Sequence, residues 1–277
     1  MNDETDLREA ISKQAKDLWA LTKAAKRLAV SYEAAVLARM GDIDEALALA
    51  QENKRWLHEL DYRNLAFIIG EEELHSRELE FNQHGITRTF RFWKSEEIRA
   101  YLTACCALVT DLCALTPRTS FGFGAVLGQV RSGSLIEHDD DVDIIIAVPG
   151  VTSYRDGMGL VAQFLRERGY SVKPLKTHLH VIPPGGRLVD VFIGLTSGRC
   201  VNWRPGPVNT IEMDAVFPTS TVRLHGVECP FPRQPEKYLE LVYGSSWRVP
   251  QKSWRHNWKA SKDPEGPPAN ARRVPLA

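Results

Sequence analysis

The sequence carries no surplus of charge: 35 Lys and Arg offset 35 Asp and Glu across 277 residues. A protein that grips a phosphate backbone usually has a basic excess, so the balance argues against a nucleic-acid partner, local patches aside. There is also no C-x-x-C pair among Cys105, Cys106, Cys113, Cys200 and Cys229. A structural zinc site built on cysteine therefore has no footing. Cys106 and Cys113 lie seven apart in an apolar helical pattern and read as packing residues. An odd count without a framework suits a reducing compartment. No apolar run approaches the ~20 residues of a membrane helix. The opening MNDETDLREA is acidic and polar, unlike a signal peptide. A cytoplasmic address is expected, with no transmembrane segment and with contact at a membrane surface left open. Against these absences, a hydrophobic fraction of 43% is enough to build a real core.

Residues 5–80 read as helix, and an α-helical region is expected over 1–86. YEAAVLARMGDIDEALALAQENKRWL places small and apolar residues at helical spacing on both sides of Gly41-Asp42. Gly ends one helix and Asp caps the next, giving a hairpin similar to a single tetratricopeptide unit. Such a region is expected to offer a contact surface to a protein partner or a second copy, or to pack on the remainder of the chain. TRTFRFWK, from 87, reads as a short strand or arm, and Ser95 as the cap of a helix that Pro117 stops. The grammar then turns to α/β, and a catalytic domain is expected over 87–258. SFGFG suggests a strand, AVLGQVRSG a short helix, VDIIIAV a buried strand and YRDGMGLVAQFLRERG a helix. Two extended segments flank Pro183-Pro184-Gly185-Gly186 as a hairpin, TVRLHGVECPFP forms another pair, and PEKYLELVYG a last helix. Residues 259–277 are Pro-rich and polar and read as a disordered tail.

The densest chemistry lies in EHDDDVDIII, residues 137–146. Asp141 and Asp143 are two apart at the start of a strand, so they share a face. Neighbouring carboxylates raise each other's pKa unless a cation neutralises them. A hard cation such as Mg²⁺, or Mn²⁺, takes a few carboxylates and the phosphates of a substrate. Asp190, inside the apolar strand LVDVFIG, is the expected third ligand, since an acid there needs a partner. A calcium loop starting at Asp139 would need Gly at position 144 and Glu at 150, where the chain has Ile and Gly. Strand–turn–helix, then Asp-x-Asp, then a lone strand Asp, is the order of the nucleotidyltransferase fold. The expected fold class is accordingly α/β: a mixed sheet flanked by helices and preceded by an α-helical region.

GAVLGQVRSGSLIEHDDDVDI resembles the signature of the LicD family, to which fukutin and fukutin-related protein belong: G-T-x-L-G-x-x-R, a loop, then D-D-D-x-D. LVDVF is similar to the family's second acidic strand, and VRLHGVECPFPRQPEKYLELVYGSSWRVP to its ending. The resemblance covers about residues 120–255. It implies a metal-dependent transferase that moves a phospho-alcohol from a CDP-activated donor to a hydroxyl of a glycan or glycolipid. Asp141, Asp143 and Asp190 would be catalytic and hold the metal, and Gly124, Ala125, Gly128, Arg131 and His138 would line the substrate. Ala125 departs from the family's Thr or Ser, so backbone amides at the helix start would have to contact the phosphate.

Two other functions fit the same residues. A nucleotidyltransferase would use this metal site and release pyrophosphate instead of CMP, and a scaffold would act through its N-terminal helices. His178 and His180 share one strand face beside Lys176; with no further ligands evident, they read as polar strand residues rather than a zinc pair. Trp247, Trp254 and Trp258 could stack on sugar, yet packing is the commoner fate of such residues.

Overall fold

Ile144, Ile145 and Ile146 are consecutive and all wholly buried. A strand can hide three successive side chains only when both of its faces are covered. That strand lies in the larger of two units into which the chain divides at Phe92 and Trp93. The computed structural model describes residues 2–203 and 211–250. The Pro-rich tail expected at 259–277, Trp254 and Trp258 lie outside them.

The first unit contains helices α1 (Asn2–Met40), α2 (Ile43–Glu52), α3 (Glu59–Ile69) and α4 (Glu71–Ser76), then strands β1 (Glu80–Asn82) and β2 (Gly85–Thr87). Gly41, at φ +94°, ends α1 as its sequence suggests. Asp42 stands before α2 without a side-chain capping bond. With 39 residues, α1 alone exceeds a tetratricopeptide unit of about 34 residues. Four small residues, Ala34, Ala38, Ala46 and Ala50, let α1 and α2 approach closely, and Tyr62 and Leu65 of α3 close the cluster. The buried Asp61 accepts hydrogen bonds from Arg27 Nε and the His58 amide, each at 2.7 Å. The expected helical stretch ends at residue 80, where β1 begins; β1 and β2 pair as an antiparallel hairpin, and Phe90–Phe92 form a 3₁₀ turn. Because Thr87 pairs with Glu80, the unit closes after Phe92 and not at 86.

The second unit opens with α5 (Ser95–Cys113). Ser95 is the first helical residue rather than the cap, and the Glu97 carboxylate accepts the Lys94 amide at 3.0 Å. Next come β3 (Thr119–Phe121), α6 (Phe123–Ser132), β4 (Asp143–Ala147), α7 (Tyr154–Arg166), β5 (Ser171–Pro174), β6 (Leu179–Ile182) and β7 (Val189–Ser197). The chain ends its described course with β8 (Cys200–Trp203), β9 (Ile211–Glu212), α8 (Met213–Val216), β10 (Ser220–Leu224), β11 (Val227–Phe231) and α9 (Pro235–Tyr243). Seven strands form one mixed sheet in the order β3-β4-β7-β6-β5, with β8 on β7 and β9 on β8. Helix α7 packs on β5 and β7, α5 on β3 and β11, and α6 on β4 and α9. The mixed α/β fold with a helical N-terminal region is therefore as expected, including the β6–β7 and β10–β11 hairpins. No helix among the described residues is long and apolar enough to cross a membrane.

Candidate metal centre

Register builds the site. Strands β4 and β7 run parallel with Asp143 opposite Asp190, and β6 runs antiparallel on the far side of β7 with His180 opposite Asp190. Directly opposed residues project from the same sheet face. Asp143, Asp190 and His180 thus form one row across three neighbouring strands. His178, two residues before His180, stacks its ring 4.8 Å from Phe192, which in turn lies two residues past Asp190.

Helix α6 begins beside this row. Phe123, its first residue, takes φ +40°, a strained value for a side chain of that size. Its amide donates to the Tyr238 hydroxyl at 3.1 Å and its ring meets Phe192 at 4.9 Å, contacts that hold the strained turn. The turn sets the Gly124 amide near the Asp143 carboxylate, where it favours the charged form. A Cβ on Gly124 would run into the Asp139 carboxylate, so glycine is what lets Asp139 close in. Burial pushes the Asp143 carboxyl well above the usual carboxylate range, and Asp141, Asp139 and Asp190 push it further; the Gly124 amide opposes them. The raised pKa favours the protonated form until positive charge arrives.

Tyr101 of α5 fixes the two acidic strand ends from below. Its hydroxyl donates to the Leu188 carbonyl at 2.7 Å and accepts the Val142 amide at 3.0 Å. Leu188 lies two residues before Asp190, and Val142 one before Asp143. Sequence reading missed this tyrosine, because only the strand register reveals what it bridges.

A tighter cluster lies on the other side of Asp190. His178 Nε2 is 3.0 Å from Asp190 Oδ2 and His180 Nε2 is 3.4 Å from Oδ1. The donor atoms of all three residues fall within 4.8 Å of one another. Asp141, Asp143 and Asp190 form no such set among the described residues; what links them is charge acting on Asp143. The signal for the histidine cluster was the i, i+2 spacing, whose missing third ligand came from the neighbouring strand.

The remaining predicted residues face other work. Ala125 is buried at 2% exposure. Gly128 is a packing glycine: a Cβ there would sit 2.5 Å from the Ser134 carbonyl and 2.9 Å from the Ile136 amide. Arg131 donates through Nε to the Trp247 carbonyl at 2.7 Å and through Nη2 to the Val249 carbonyl at 3.4 Å. Arg131 and the exposed His138 line a groove of about 760 Å³ with Trp247 and Arg248. Trp247 is itself buried at 4% exposure, so it packs. Lys176 is exposed.

No protein-family model matches this chain, and no curated protein matches it either. Fold and site together define a mixed α/β protein with carboxylates and imidazoles converging on the starts of two parallel strands.

Proposed function

We propose that the unit beginning at Trp93 is a metal-dependent transferase. It moves a phospho-alcohol, such as phosphocholine or a polyol phosphate, from a CDP-activated donor to a hydroxyl of a glycan or glycolipid. The observation that carries the reading is the pairing of Asp143 with Asp190 on adjacent strands, while Asp141 and Asp139 add their charge to Asp143. A buried carboxyl that feels three other carboxylates is tolerated best beside a cation. The order of these residues along the chain is that of the LicD resemblance.

In this reading Asp141, Asp143 and Asp190 hold Mg²⁺ or Mn²⁺. When bound, the cation supplies positive charge to the diphosphate and to the leaving CMP. Asp143 serves as the inner ligand, since the Gly124 amide fixes its carboxylate and Asp139 crowds it from the side. Asp190 is oriented by its neighbours on β4 and β6, and Tyr101 keeps the two strand starts in place.

The test is product analysis. The full chain, Mg²⁺ and a panel of CDP-alcohols are incubated with glycan acceptors, and nucleotide products are separated. Release of CMP that depends on acceptor, and that Asp141→Asn abolishes, supports the reading. Release of pyrophosphate from an NTP would instead make the protein a nucleotidyltransferase, and no turnover with either donor class would remove the enzymatic reading.

A further inference from the structure

We infer that His178, His180 and Asp190 form a second metal site, one that takes a nitrogen-loving divalent transition metal of the zinc class. Three observations carry it. First, His178 Nε2 and Asp190 Oδ1 are buried and have no hydrogen-bond partner. Asp190 is 9% exposed, so the orphaned oxygen has no easy access to water. Although His178 Nε2 and Asp190 Oδ2 are 3.0 Å apart, the pair lacks hydrogen-bond alignment and leaves that nitrogen unsatisfied. Leaving such atoms unpaired is costly, and a shared ligand removes the cost.

Second, the spacing fits ligation. Metal–donor bonds of about 2.0–2.1 Å at tetrahedral to octahedral angles put adjacent donor atoms about 2.9–3.4 Å apart. The two imidazole–carboxylate separations are 3.0 Å and 3.4 Å. Third, the outer shell is present. The Thr177 hydroxyl lies 2.8 Å from His178 Nδ1, which occupies that nitrogen and leaves Nε2 as the ring's ligand atom. Phe192 stacks on the same ring and fixes its plane.

Two imidazoles and one carboxylate favour zinc, iron or nickel over magnesium, whose ligands are oxygens. Three protein ligands leave coordination positions open, the mark of a site that meets substrate or water rather than one that only braces the fold. The site shares Asp190 with the carboxylate cluster but draws its other two ligands from β6 and the turn before it. It does not depend on phospho-alcohol transfer, so either reading can fail alone.

The test uses the full chain stripped by a chelator and titrated with Co²⁺, a spectroscopic stand-in for Zn²⁺, and then with Zn²⁺ itself by calorimetry. The expected result is one tightly held Co²⁺ with visible ligand-field absorption, displaced by Zn²⁺ and resistant to excess Mg²⁺. His178→Gln and His180→Gln should each weaken Zn²⁺ at least about tenfold, the lower bound even for outer-shell changes. His138→Gln, outside the cluster, should leave it unchanged. Wild-type protein that takes up no Co²⁺ would overturn the site whatever the variants do. So would tight binding that both glutamine variants retain.

Discussion

Asp143 and Asp190 are register partners on adjacent parallel strands, at the point where both strands enter the core. Neither can leave the other's field without shifting a strand. Both proposed metal sites descend from this pairing: Asp143 lies in the field of Asp141 and Asp139, and Asp190 lies beside the two histidines.

The pairing makes the metal-free protein pH-sensitive in a definite direction. The folded-state pKa of Asp143 is raised, by burial first and then by Asp141, Asp139 and Asp190. Between its unfolded value of about 4 and its raised folded value, the native state binds more proton than the unfolded one. Stability without metal should therefore fall as pH rises through that window. In Asp143→Asn the dependence should shrink. Its melting temperature in chelator should exceed wild type at neutral pH and match it near pH 4, while transferase activity is lost. Thermal melts across pH check this, and a variant no more stable than wild type at neutral pH would contradict it.

Arg131 separates a substrate ligand from a structural one. Its guanidinium holds the Trp247 and Val249 carbonyls, and burial lowers its pKa. Arg131→Met should destabilise the protein by about 1–3 kcal/mol, the range for lost hydrogen bonds to a charged group. The Michaelis constant for the donor should stay within about twofold, far below the tenfold that 1.4 kcal/mol would bring. Denaturant unfolding and steady-state kinetics on the same preparation decide it. A large rise in that constant with unchanged stability would return Arg131 to the substrate.

The helical unit should respond to acid through Asp61. Burial pulls this carboxyl's pKa up, but Arg27 and the His58 amide outweigh it and hold it below the usual range. A depressed folded pKa contributes stability that is present above about pH 4 and lost as pH falls through the folded value. Asp61→Asn should speed amide exchange in α2 and α3 at neutral pH, and the difference from wild type should vanish in strong acid. Hydrogen exchange measured by mass spectrometry reads this directly.

Much of the sheet was legible because its residues alternate or run apolar over enough length. Asp143 with three isoleucines after it marks a buried strand entering from an acidic end, and Pro-Pro-Gly-Gly marks the β6–β7 turn. The hairpin of β1 and β2 was not legible, since three residues per strand give too little alternation to stand out from helix. Gly128 and Arg131 show a different limit. A motif says which residue types recur at which spacing, but not which way they face. Here they face the loop at 134–136 and the C-terminal carbonyls. The histidine cluster required a register: nothing in His178-x-His180 announces that Asp190 stands across from it. Ser95 misled because a serine before two glutamates satisfies a capping pattern one residue late.

The Tyr101 hydroxyl has a bearing on how an ion would be received. One phenol oxygen ties Leu188 to Val142, so the gap between the strand ends is set by a helix lying underneath. The scaffold behind the ligands is organised before the ion comes. Less ordering entropy is then left to be lost on binding, and the spacing can discriminate between cations by size. In the proposed centre tuning extends beyond the ligands: a change at Tyr101 would alter which ion fits while every ligand remained in the chain.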